Sequence, residues 1–237
     1  MDPATHLDHL RADGAALLAA YLADPAAPVA PCPGWDRADL LAHVGGVHAW
    51  ARTQLARGTS ERVRFSDIPT PPEGEALPGW YEAGLADLVD ALAAMDTAAT
   101  WPTWAGPQPG TFYPRRMAQE TAVHRRDADP QPLDPALAVD GVDELLTIFL
   151  PRLPLERFDG RTGTLHLHAT DAEGEWLVEL TADGVRVAQE HAKGDVALRA
   201  TAGDLLLWTW NRAPLDERFE VFGDATLLDL WRSAVVF

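Results

Sequence analysis

Residues 31–46 read Pro-Cys-Pro-Gly-Trp-Asp-Arg-Ala-Asp-Leu-Leu-Ala-His-Val-Gly-Gly. The break inside this stretch sets the frame for the whole chain. Pro25, Pro28, Pro31 and Pro33 make a proline-rich break ahead of Asp36, because each proline lacks an N–H and restricts the residue before it. Asp36 then stands where a helix needs a cap, and Trp35 and Leu40 have the N′ and N4 spacing of a hydrophobic staple. A helix is predicted from there to about Arg57. Leu40, His43, Val47 and Trp50 fall on one stripe at steps of three and four, so the face that buries the helix should also bury His43.

Upstream, Asp2-Pro3 supplies a cap and a first-turn proline to a helix with Leu7, Leu10, Leu17, Leu18 and Tyr21 at helical spacing. Downstream, residues 58–77 are rich in Gly, Pro and charge and read as a long loop. Leu85, Leu88, Val89 and Leu92 mark a third helix. Trp101 to Gly110 reads as another loop, and a fourth helix opens near Thr111 and ends around Asp127-Ala-Asp-Pro130. A further helical stretch, about Pro135 to Leu150, is stopped by Pro151 and Pro154. Helices joined by loops imply a bundle over 1–150.

Beyond residue 155 the period changes. Leu165, Leu167 and Ala169 alternate with Thr164, His166, His168 and Thr170, as in a half-buried strand. Two apolar runs, Trp176–Leu180 and Val185–Ala188, flank an Asp183-Gly184 turn. Val196–Ala200 reads as a strand, Thr201 caps a short helix over Leu205–Trp210, Asn211 suits a left-handed C-cap, and a last helix covers Ala225–Arg232. The expectation is a two-domain α+β chain, with residues 155–237 forming a small α+β domain built on an antiparallel sheet.

Composition narrows the function. Of 237 residues, 47% are apolar, enough to support a packed core rather than disorder. Nineteen basic against 36 acidic residues leave a net charge of −17, a field that opposes nucleic-acid backbones and anionic membrane surfaces alike. A lone cysteine, Cys32, excludes an internal disulfide framework and a multi-cysteine zinc site. No apolar run approaches the ~20 residues of a spanning helix and the start carries no signal-peptide pattern, so a cytoplasmic protein is expected.

On the fourth helix Tyr113, Met117, Glu120 and His124 share a face at steps of 4, 3 and 4. Glu120 and His124 should therefore project toward the same core as His43. A buried carboxylate without a partner is costly, and a divalent cation taking all three groups as ligands removes that cost. Two imidazoles and one carboxylate suit zinc with an open fourth position, although iron, nickel and manganese use similar sets. The plainer reading of the same spacing is a surface Glu–His pair and a hydrogen-bonded core histidine.

Residues 31–46 resemble the signature of the mycothiol-dependent maleylpyruvate isomerase family, a branch of the DinB-like four-helix bundles. Arg116-Met-Ala-Gln-Glu-Thr-Ala-Val-His-Arg-Arg-Asp127 is similar to its second signature. Asp195–Arg199, Leu205–Trp208 and Gly223-Asp224 are similar to its C-terminal, sterol-carrier-like domain. The resemblance implies a metal at His43, Glu120 and His124, with mycothiol as the thiol cosubstrate. A metal-activated thiolate would then add to a small electrophile, in cis–trans isomerisation or in S-transfer. Arg116, Arg199 and Arg212 are the candidates to grip the thiol's polar groups, in a cleft at or near the junction of the domains. The alternative is a carrier that binds an apolar small molecule and uses its metal only structurally.

Other residues carry weaker signals. His48 lies off the His43 line, His166 and His168 share the outward face of a strand at a spacing metals sometimes use but read there as solvated histidines, and Cys32 fits a packed small residue. Arg115 and Arg125 are further candidates to bind a carboxylate, Asp127 could support a ligand histidine, and Trp208 and Trp210 could dock the domains.

Overall fold

In the computed structural model, which describes residues 1–58, 61 and 63–236, Asp36 caps helix α2 (Arg37–Arg57). Its carboxylate accepts from the Asp39 N–H at 2.9 Å, and the Asp39 carboxylate accepts from the Asp36 N–H at 3.1 Å. This reciprocal box satisfies two orphan donors of the first turn, with Asp in the place usually held by Glu. Trp35 packs its ring against His43 instead of serving only as a staple, with ring centroids 5.0 Å apart. Gly58, at φ +59°, ends the helix in the left-handed conformation that suits glycine.

Helix α1 (Pro3–Ala23) begins at the expected cap, Asp2 accepting from the Thr5 N–H at 2.8 Å. Helices α3 (Leu77–Ala93) and α4 (Phe112–Ala128) follow. Among the described residues these are the four α-helices of the first compact unit, Met1–Gln131. Helix α4 packs along α1 and α2, and α3 packs on α1 and α2. Leu10, Leu17, Leu40, Leu41, Val44, Tyr81 and Leu88 are fully enclosed among them. Burying each such leucine contributes about 1.5–3 kcal/mol. The approach of α3 to α2 depends on Gly45, where a Cβ would stand 2.3 Å from the Trp80 ring.

Two segments depart from the expected loops. Residues 65–67 and 74–76 form short 3-10 turns within the long connection. Residues 100–109 form a hairpin of β1 (Thr100–Thr103) and β2 (Gly106–Pro109), in antiparallel register. Three prolines hide this pairing from the sequence pattern. The turn is held by the Thr103 hydroxyl, which accepts from the Ala105 N–H at 3.0 Å and donates to the Gly106 carbonyl at 2.6 Å.

The second unit runs from Pro132 to Phe237. Helix α5 (Pro135–Glu144), capped by Asp134, continues through a π turn (Leu145–Phe149) and a 3-10 turn (Leu150–Arg152) before the prolines stop it. Helix α5 packs on α6 (Ala202–Thr209), so it belongs with the second unit. The break between units therefore falls at residues 131–132, ahead of the expected 150–155.

A five-stranded sheet of β3 (Gly163–Ala169), β4 (Glu175–Thr181), β5 (Gly184–Ala188), β6 (Val196–Ala200) and β7 (Glu220–Gly223) has the order β5-β4-β3-β6-β7. It is mixed rather than wholly antiparallel, because β3 and β6 run parallel. After the β3–β4–β5 meander the chain crosses to the free side of β3 and arrives in the same direction. Strand β7 escapes the sequence pattern because all four of its residues are exposed and none alternates. Trp176, Trp208, Leu167 and Leu198 lie in the core beside the sheet, and Trp208 stacks on Trp231 of α7 (Thr226–Ala234) with centroids 5.3 Å apart. Trp208 is thus a core residue of the second unit, and Trp210 meets Phe149 edge-on. Among the described residues no helix is long and apolar enough to cross a membrane.

Candidate metal centre

Helix α4 is enclosed on nearly every side, yet it carries Arg116, Gln119, Glu120, Thr121, His124 and Arg125. Polar side chains in such a position need partners, and a cluster of them in one helix marks a place where stability yields to function. Arg125 donates to Asp13 on α1 at 2.8 Å, which makes it a buried structural ion pair rather than a substrate grip. Thr121 pairs with His48 at 2.9 Å. His48 is wholly buried, and burial pushes its pKa from 6.5 to about 4 against the pull of Glu120. It is a neutral core residue beside the candidate site.

The remaining groups converge. His43 from α2 and Glu120 and His124 from α4 bring one ligand atom each to within 4.8 Å of one another. His124 Nε2 lies 3.3 Å and His43 Nε2 3.6 Å from the same oxygen, Glu120 Oε1, and the two rings are edge to face at 5.1 Å. His43 is only partly buried, with 35% of its side chain exposed. It is the open side of the cluster, in contrast to the full burial its stripe implied.

Each of the α4 groups is fixed by a further partner. Arg116 donates to Glu120 Oε2 at 2.7 Å, which leaves Oε1 turned to the histidines. Arg116 therefore holds Glu120 in place. Asp127 Oδ2 lies 3.0 Å from His124 Nδ1 and 3.8 Å from Cys32 Sγ. Asp127 thus fixes the His124 ring from its Nδ1 side and presents Nε2 to Glu120 Oε1, the orientation a metal ligand needs. Burial pushes the Glu120 carboxyl up, but hydrogen bonds from His124 and His43 and the charge of Arg116 outweigh it and hold it well below the usual range. Glu120 is ionised, as a ligand must be.

Beside His43 a cavity of about 650 Å³ is walled by Gly34, Trp35, Ala42, Gly46, Phe65 and Pro71, all from the first unit. Its size lies within the range of small-molecule sites. The spacing of the sequence pointed to the three ligand candidates but not to Trp35 over His43, nor to the wall contributed by 65–71. The other two arginines belong to the second unit: Arg199 on β6 donates to Glu220 at 3.1 Å, and Arg212 follows the end of α6. His166 and His168 are not solvated singly, since both reach Glu175, at 3.1 and 3.0 Å.

The family described as the mycothiol maleylpyruvate isomerase N-terminal domain matches residues 7–129, and the corresponding C-terminal domain matches 136–230. The chain belongs to this family. Among solved structures it is similar to the crystal structure of the mycothiol-dependent maleylpyruvate isomerase, at 12% identity over 93% of each chain with a TM-score of 0.64. A histidine-to-alanine mutant of that enzyme matches at 12% identity over 90% of each chain, with a TM-score of 0.62. These likenesses show a shared two-domain α+β fold. No curated protein sequence matches the chain.

Proposed function

We propose that this protein is a metal-dependent enzyme that uses mycothiol to isomerise a small acid of the maleylpyruvate type about an activated cis double bond. The observation that carries the reading is the convergence of His43, Glu120 and His124 on one point, in a chain of the mycothiol maleylpyruvate isomerase family. These three side chains would hold the ion, with zinc preferred by two imidazoles and one carboxylate. When bound, the ion supplies the positive charge that keeps a thiol deprotonated at neutral pH, where a free thiol of pKa ~8.5 is mostly protonated.

The chain's own residues do the rest. Arg116 and Asp127 fix Glu120 and His124, so the ligands need little reorganisation. Trp35 and Phe65 give the cavity apolar walls that displace water from the reacting atoms. In the reaction the thiolate sulfur bonds to one carbon of the double bond, and the π electrons move onto the conjugated carbonyl. The former double bond rotates as a single bond. Return of the electron pair breaks the C–S bond, releasing the trans product and the same thiolate. On this reading the first unit is a DinB-like metal-binding bundle, the second is sterol-carrier-like, and the enzyme works in the cytoplasm, where low-molecular-weight thiols stay reduced.

The test is turnover of maleylpyruvate by zinc-loaded protein with and without mycothiol, beside His43→Ala. Turnover that needs mycothiol and falls to background in the variant, with far-UV circular dichroism unchanged, supports the proposal. Equal turnover in the variant overturns it. A stable thioether accumulating in place of the trans product would move the assignment to S-transfer.

A further inference from the structure

Three of the eight histidines of the chain gather on one carboxylate in the second unit. His166 and His168 alternate with core residues on β3 and so share its outer face, and Glu175 stands directly across from His168 on β4. His191 comes from the connection between β5 and β6. His166 Nε2 and His191 Nδ1 lie 3.1 and 2.6 Å from Glu175 Oε2, and His168 Nδ1 lies 3.0 Å from Oε1.

One carboxylate can neutralise one imidazolium, so three protonated rings at this distance would repel one another. Three neutral rings would crowd their donors onto a single group. The four ligand atoms all lie within 4.8 Å of one another. In a tetrahedral zinc site with bonds near ~2.0 Å, neighbouring ligand atoms are about 3.3 Å apart. Small side-chain rotations close that gap, since His191 is 81% exposed on its connection and His168 is only partly buried.

We propose that His166, His168, Glu175 and His191 form a second metal site, closed by four protein ligands and taking zinc. Three imidazoles with one carboxylate match the donor preference of zinc and of nickel or copper, and exclude calcium or magnesium. Four protein ligands make the site structural rather than catalytic. Its place in the fold gives it a task. The connection after β5 is pinned at its far end, where Asp195 Oδ2 accepts from the Thr164 N–H and hydroxyl, both at 2.8 Å. An ion on His191 would fasten the near end to β3 and β4. The site shares no residue with the cluster around His43 and does not depend on the function proposed for it.

The test is zinc stoichiometry after chelator stripping, reloading and dialysis of the full-length protein, read by plasma mass spectrometry. The wild type is expected to hold two equivalents, and His191→Ala, His168→Ala and His43→Ala one each. Because His191 is exposed, its replacement leaves the packed core of the sheet intact. Zinc should also raise the melting temperature of His43→Ala, and should no longer do so in His43→Ala/His191→Ala. If only the α2–α4 cluster fails, the wild type holds one equivalent that the sheet variants lose. Zinc content unchanged by His191→Ala and His168→Ala overturns the second site.

Discussion

Replacing His48 by Gln should flatten the acid limb of the stability profile. His48 is buried against Thr121, and its Nδ1 has no hydrogen-bond partner among the described residues. A second proton would therefore place an unpartnered N–H in the core. Burial, with a small push from Arg52, lowers its pKa from 6.5 to about 4, and the charge of Glu120 offsets only part of this. The unfolded chain binds a proton on this residue below pH 6.5 while the folded chain refuses it until about pH 4. Stability is thus fully present above 6.5 and is lost as the pH falls toward 4. The whole loss is about 3 kcal/mol, and about 2 kcal/mol of it is expressed by pH 5. Gln can still bond Thr121 but does not titrate. The assay is urea unfolding in the presence of a chelator, at steps from pH 7.5 to 5, for wild type and His48→Gln. A constant offset between the two is immaterial, and groups common to both cancel in the difference. The gap should move by about 2 kcal/mol in favour of the variant across this range. Parallel profiles would refute the reasoning, by showing that His48 takes up its proton in the folded state as readily as in the unfolded one.

Further outcomes follow from the same packing. Asp13→Ala strips Arg125 of its buried partner and should cost about 3 kcal/mol in urea unfolding, the low end for a broken buried pair because Arg125 also donates to the Gln131 carbonyl. Asp127→Ala and Arg116→Gln leave all three candidate ligands in place but unsupported. Each should weaken zinc binding at the His43 site by about 10–100-fold in competition with a chromophoric chelator. Gly45→Ala drives a methyl to 2.3 Å from Trp80 and should destabilise by about 1–3 kcal/mol in thermal unfolding, which an undisturbed melting curve would contradict.

The helical half was legible because its caps and stripes are local. Asp2, Asp36 and the leucines at steps of three and four mark helices whatever surrounds them, and the same periodicity aligned His43 with Glu120 and His124. What lay hidden was set by contacts distant in sequence. The hairpin over 100–109 pairs through proline-rich residues that carry no alternation. Strand β7 is recognisable only once β6 lies beside it, and the parallel pairing of β3 with β6 depends on where the chain goes after β5. The histidines of β3 looked solvated because strand parity speaks of the face alone; Glu175 and His191, which cover that face, arrive from other strands. Spacing also could not show that Glu120, one turn along, accepts a hydrogen bond from Arg116.

The most direct measurement is calorimetric titration of mycothiol into zinc-loaded protein, metal-free protein and zinc-treated His43→Ala, repeated in two buffers of different ionisation enthalpy. If the His43, Glu120 and His124 cluster presents an ion to the thiol, the zinc-loaded wild type alone should bind, releasing close to one proton per thiol at neutral pH. Equal affinity in all three samples, or binding with no proton release, would contradict the proposed metal-dependent thiol site.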